Sequence, residues 1–383
     1  MKAVKIIGRI LGVTLAALIA LVGLASLVKV PILGSIATFG TVEYGHIAIP
    51  VGIVLFATSW LLFATKEKVF PSIVVVLLAV ALATSCAAFG SAVQAFKKEG
   101  VSVKAFGTHR SFEDVQKASA VYTQGLDGDL PLDLYYLSDG QTGKPVVVYV
   151  HGGGWTTGDR NNLLYRTKSL AQEGCVSVTV EYDLSSKDRH LAGSTELQVT
   201  KALAWVALHA AEYGGDIDKL FLIGDSAGGQ LALDLAYKIN GGVYTMADGV
   251  TLPTVKGVCG LYPVADPVGF YHNDDPLLGA GVKNMCVCYV GATPEEDPAG
   301  YQEITPANFI TAATPPTLLI LGKADTAVPT KGSHDLYQAL LDNGTPARLV
   351  EIPYTNHAFD YVDGNFGAEG VTGVFMQFVR SLS

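Results

Sequence analysis

Three stretches near the N-terminus, residues 10–28, 47–65 and 69–96, contain no charged side chain. At about 1.5 Å per helical residue, each is long enough to cross a hydrocarbon core of about 30 Å. Residues 1–98 therefore read as a transmembrane region of three spans, with the lipid bilayer as its partner. A cleaved signal peptide is a poor alternative, because no convincing small-residue cleavage site precedes the two further apolar stretches. The basic flanks balance: Lys2, Lys5, Arg9, Lys66 and Lys68 fall on one side, Lys29, Lys97, Lys98, Lys104 and Arg110 on the other. The first span then sets the orientation, with a cytoplasmic N-terminus. An odd number of spans puts everything after residue 98 outside the cytoplasm.

Residues 99–128 carry mixed charge without periodicity and read as a linker. From residue 129 to 383 the pattern changes. Pro131–Leu137 alternates like a half-buried strand, whereas Val146–Val150 and Cys175–Val180 are continuous and β-branched, as strands covered on both faces are. Helical stretches at Leu163–Glu173, Thr195–Tyr213 and Ser333–Asn343 separate these from strand-like runs at 220–223, 257–261, 317–321 and 347–352. Such alternation predicts one large α/β domain with a mostly parallel sheet and helices on both faces. Residues 263–316, rich in Pro, Gly, Asp and Asn, read as a lid or insertion.

A net charge of −9, with no Lys/Arg block in this part, argues against a nucleic-acid partner and favours small neutral or apolar substrates. The five cysteines form no CxxC pair or His-interleaved zinc spacing, so no metal site is expected.

Ligands in an open α/β sheet bind beyond the carboxyl ends of the strands. Four strand ends carry chemistry there: His151-Gly-Gly-Gly-Trp155, Gly224-Asp-Ser-Ala-Gly228, Asp325 and His357. A G-x-S-x-G turn between strand and helix presents its serine clear of the sheet. Serine needs a neighbouring base, and the base a carboxylate to hold its tautomer. Ser226, Asp325 and His357 are the candidates for nucleophile, acid and base, with Asp266 and Asp360 as rivals for the acid. Backbone N–H groups of Gly153, Gly154 and Ala227 are candidates for the oxyanion hole. Trp155 and Tyr262 are candidates for the substrate pocket, and Asp225 for support of the turn.

These motifs, with Gly158-Asp159, Gly215-Asp216, Thr305-Pro306, Pro315-Pro316 and Asn356-His357, resemble the α/β-hydrolase family, within it the hormone-sensitive-lipase-like bacterial carboxylesterases. The resemblance spans roughly residues 130–380. It implies hydrolysis of short-acyl esters through an acyl-enzyme, without metal or organic cofactor. It also implies that His151 supports the oxyanion loop. Tyr182-Asp-Leu-Ser-Ser186 departs from the Tyr-Arg-Leu-Ala-Pro-like stretch of many relatives. An acyltransferase, amidase or peptidase would share the acyl-enzyme. The other class is a silent hydrolase-like recognition module, against which the intact Ser226/Asp325/His357 set argues.

Overall fold

The computed structural model describes residues 2–27, 38, 42–62, 69–104 and 110–383. The chain divides into two compact units. One comprises Met1–His109, Gly322–Thr326 and Ile352–Gly370; the other comprises Arg110–Leu321, Ala327–Glu351 and Val371–Ser383.

Among the described residues, the N-terminal part of the first unit forms α1 (Lys2–Ala25), α2 (Gly45–Leu62) and α3 (Val69–Lys98). Both α1 and α2 pack along α3, and small residues permit the approach: a Cβ on Gly23 would crowd Ala81 and Thr84, and one on Gly45 the ring of Phe89. Among the described residues one helix, Ser72–Lys98, is long and apolar enough to cross a membrane, while Ile10–Ala25 and Ile47–Ser59 are shorter apolar helices. The first two expected spans run past them into residues 28 and 63–65, which lie outside the described residues, as do Lys29, Lys66 and Lys68. The C-terminal part of α3 is packed by protein. Ala88, Ala92 and Phe96 are fully buried, and Phe89 and Phe96 meet Phe366 edge-on at 5.3 and 6.1 Å.

The second unit is built on a sheet. In chain order it runs β1 (Val115–Gln124), β2 (Asp129–Leu137), β3 (Lys144–Val150), α4 (Leu164–Gln172), β4 (Val176–Val180), α5 (Ser194–His209), β5 (Gly215–Asp225) and α6 (Ser226–Asn240). A small hairpin, β6 (Met246–Ala247) and β7 (Val250–Thr251), precedes β8 (Val255–Leu261). Three short helices follow, α7 (Pro267–Tyr271), α8 (Gly279–Val290) and α9 (Pro298–Glu303), then β9 (Thr317–Gly322), α10 (Thr330–Asp342), β10 (Ala347–Ile352) and α11 (Phe366–Leu382). The strand order is β1-β2-β4-β3-β5-β8-β9-β10. β1, β2 and β4 pair antiparallel, whereas β4, β3, β5, β8 and β9 pair parallel.

β3, β4 and β9 are buried along nearly their whole length, and β5 from Leu220 on, which is why these runs are apolar without alternation. The segment expected as a linker contains β1, an edge strand whose one buried residue is Tyr122. Backbone pairing, not an apolar face, makes it a strand. In the expected lid, α7 and α9 each begin at an Asp-Pro step. Asp266 and Asp297 accept the Gly269 and Gly300 N–H groups at 2.9 and 3.0 Å, as N-caps do.

Candidate active site

β5 ends at Asp225 and α6 begins at Ser226, with no residue between them. Ser226 itself makes the turn, and its φ of 54° lies in the left-handed region, at a cost of about 1–3 kcal/mol. Close backbone approach holds it there. A Cβ on Gly228 would overlap the carbonyl oxygens of Val150 and His151 at the end of β3, and one on Gly224 would overlap the Gly228 carbonyl. The Ala227 N–H is among the first four of α6, which have no partner within the helix and sit at its positive end.

The loop after β3 folds back through positive φ at Gly153 (117°), Gly154 (58°) and Trp155 (58°). Asp225 anchors it: its Oδ1 accepts the Gly152 N–H at 3.1 Å and the Tyr149 hydroxyl. His151 is fully buried and stacks on Tyr182, with ring centroids 4.1 Å apart. The Tyr182 hydroxyl donates to the His151 carbonyl at 2.7 Å. Burial pushes the His151 pKa down, so the ring is neutral and its Nδ1–H donates to the Gly152 carbonyl at 2.8 Å.

Trp155 is 1% exposed. Its indole stacks on Tyr289 at 4.5 Å and its Nε1–H donates to Gln230 Oε1 at 3.0 Å. Tyr262, also 1% exposed, follows β8 with φ 35°. Trp155 is part of the hydrophobic core of this unit, and both side chains are buried.

In the other unit, His357 Nδ1–H donates to Asp325 Oδ2 at 2.8 Å, with the carboxylate side chain 1% and the imidazole 21% exposed. The bond fixes the tautomer and leaves Nε2 as the basic nitrogen. Asn356 ties the two loops together, its Oδ1 accepting the Thr326 N–H at 2.9 Å and the His357 N–H at 2.7 Å. The Ala324 N–H adds a bond to the Thr355 carbonyl at 2.8 Å. Of the candidate residues, the structure thus joins Asp325 to His357. It puts Ser226, Ala227, Gly153, Gly154, Trp155 and Tyr262 in the unit of the sheet.

One group behind the site was not anticipated from sequence. Gln230 Nε2 donates to Asp234 Oδ2 at 2.7 Å, and Lys238 Nζ donates to Glu196 Oε2 at 2.7 Å. Tyr244 also donates to Glu196 at 2.9 Å. Burial and the Glu196 carboxylate push the Asp234 pKa well up, against the pull of Lys238. Lys238 and Glu196 form a buried ion pair beside it at 2.7 Å. The signal was a polar stripe, Gln230, Asp234 and Lys238, at four-residue spacing on an otherwise apolar helix.

A mostly parallel sheet with helices on both faces, carrying a serine at a left-handed strand-to-helix turn, is the α/β-hydrolase fold. Esterase B of Lactobacillus rhamnosis HN001 shares it, with a TM-score of 0.58 at 25% identity over 79% of this chain and 94% of that one. Residues 132–340, more than half of the chain, match the BD-FAE family, and the chain belongs to it. Among curated relatives, the probable carboxylic ester hydrolase LipM of Mycobacterium tuberculosis is 28% identical over 221 residues, 56% of this chain and 49% of that protein. Esterase LipQ of the same organism is 28% identical over 262 residues, 66% and 59% respectively. The chain spans about half the length of these curated relatives.

Proposed function

We propose that the chain is a membrane-anchored serine hydrolase that cleaves short-acyl carboxylic esters through an acyl-enzyme. The observation that carries the reading is the 2.8 Å bond from His357 to a buried Asp325 carboxylate. An imidazole so held has one tautomer and a basic Nε2. Ser226 Oγ attacks the ester carbonyl as His357 Nε2 takes its proton. The developing oxyanion is met by the N–H groups of Gly153, Gly154 and Ala227. The alcohol leaves with the proton from His357, and water, activated by the same nitrogen, releases the acid. Trp155 and Tyr262, buried as they are, back the site and do not line it, and no cofactor takes part.

Anchoring is supported by the apolar helices. Ile10, Leu11 and Leu15 on α1 are 61, 64 and 60% exposed, and Val54 on α2 is 64% exposed. Such faces are stable where the surroundings are hydrocarbon.

The test uses the full chain in detergent with a fluorophosphonate probe and p-nitrophenyl esters of increasing acyl length. The wild type is expected to be labelled and to prefer acetate or butyrate over long chains. Ser226→Ala is expected to lose the label and on the order of 10⁶ in kcat. Labelling that persists in Ser226→Ala would sink the assignment of the nucleophile.

A further inference from the structure

The segment between the first two apolar helices carries one carboxyl, Glu43. It is 2% exposed, and its Oε1 accepts the backbone N–H of Asn356, the residue before His357, at 3.4 Å. Packing fixes its place. Two residues on, Gly45 abuts the ring of Phe89 in α3; Phe89 meets Phe366 edge-on at 5.3 Å; and Phe366 opens α11, the helix that follows the His357 loop. The groups that act electrostatically on Glu43 are Asp360, His357 and Asp325.

We propose that Glu43 is a positioning residue for the Asp325–His357 pair, so that the apolar region that anchors the enzyme also sets the basicity of its histidine. The proposal rests on His357 being the general base. An ionised Glu43 is a further negative charge acting on His357, and it stabilises the imidazolium that forms as Ser226 attacks. Its ionisation is opposed first by burial and then by Asp360 and Asp325, and favoured by the Asn356 N–H and by His357. The balance pushes its pKa up to about 7. Below that pH Glu43 is neutral and adds no charge. Above it the charge appears, so its help to the reaction grows as pH rises through 7.

The experiment measures kcat/KM for p-nitrophenyl butyrate from pH 5.5 to 9 on the full chain in detergent, comparing wild type, Glu43→Gln and Glu43→Asp. Gln keeps an oxygen for the Asn356 N–H but cannot ionise, whereas Asp keeps the titrating group. The wild-type to Glu43→Gln rate ratio is expected to lie near one at pH 6 and to climb about tenfold by pH 8.5, the effect of about one pKa unit of interaction. Glu43→Asp is expected to retain the climb. A ratio that does not change with pH overturns the proposal, as does a climb lost equally in the Asp variant, which signals lost packing. Fluorophosphonate labelling keeps the two readings apart. An unlabelled wild type defeats the hydrolase itself, whereas a labelled wild type with a flat ratio defeats only the role of Glu43.

Discussion

An imidazole that must alternate between accepting and returning a proton needs one tautomer, and the Asp325 carboxylate can only accept. Asp325→Asn breaks that constraint, because an amide NH₂ can donate to Nδ1 and shift the proton to Nε2, where it blocks proton transfer from serine. The expected outcome is a loss of about 10⁴ in kcat with KM little changed, read from steady-state ester hydrolysis. A loss of less than tenfold would return the acid's role to Asp360. Asp325 was legible in sequence as a residue that follows a strand. Its rival Asp266 also follows a strand, and only the structure shows it spent on capping α7. Glu43 was not legible. It is a single carboxyl, 313 positions from the backbone group it meets, and no periodicity marks such an encounter.

At the scale of elements, the parallel strands were legible because burial on both faces leaves an unbroken apolar run, while β1 was not, because an edge strand with one buried residue has no such run. The junction between β3 and α6 carries the tightest demand. Gly228 lies where any Cβ would overlap the Val150 and His151 carbonyls, so Gly228→Ala must push α6 away from β3 or distort the turn at Ser226. Overpacking of this kind costs on the order of 1–3 kcal/mol. A lower melting temperature is expected, together with loss of fluorophosphonate labelling in the protein that remains folded. Full labelling at wild-type rate would show that the turn tolerates the displacement, and the strained geometry at Ser226 would then have no part in reactivity.

Across the whole molecule the question is which solution the proposed ester hydrolase faces. The candidate span Ser72–Lys98 has 27 residues, about 40 Å of helix, which exceeds the hydrocarbon thickness of about 30 Å. Its excess belongs to the C-terminal end, where Ala88, Ala92 and Phe96 are buried by protein and Lys97 and Lys98 close the last turn. That end is the one from which the chain runs on toward the strands that begin at Val115. If all three expected spans cross and Lys2, Lys5 and Arg9 hold the N-terminus in the cytoplasm, the side reached after Lys98 is extracytoplasmic. Protease added to intact cells, with the outer barrier opened where there is one, is then expected to digest a C-terminal tag and leave an N-terminal tag until lysis. The reverse pattern would place Ser226 in the cytoplasm. Digestion of both tags before lysis would mean an even number of crossings, with one of the two shorter apolar helices lying along the membrane instead of through it.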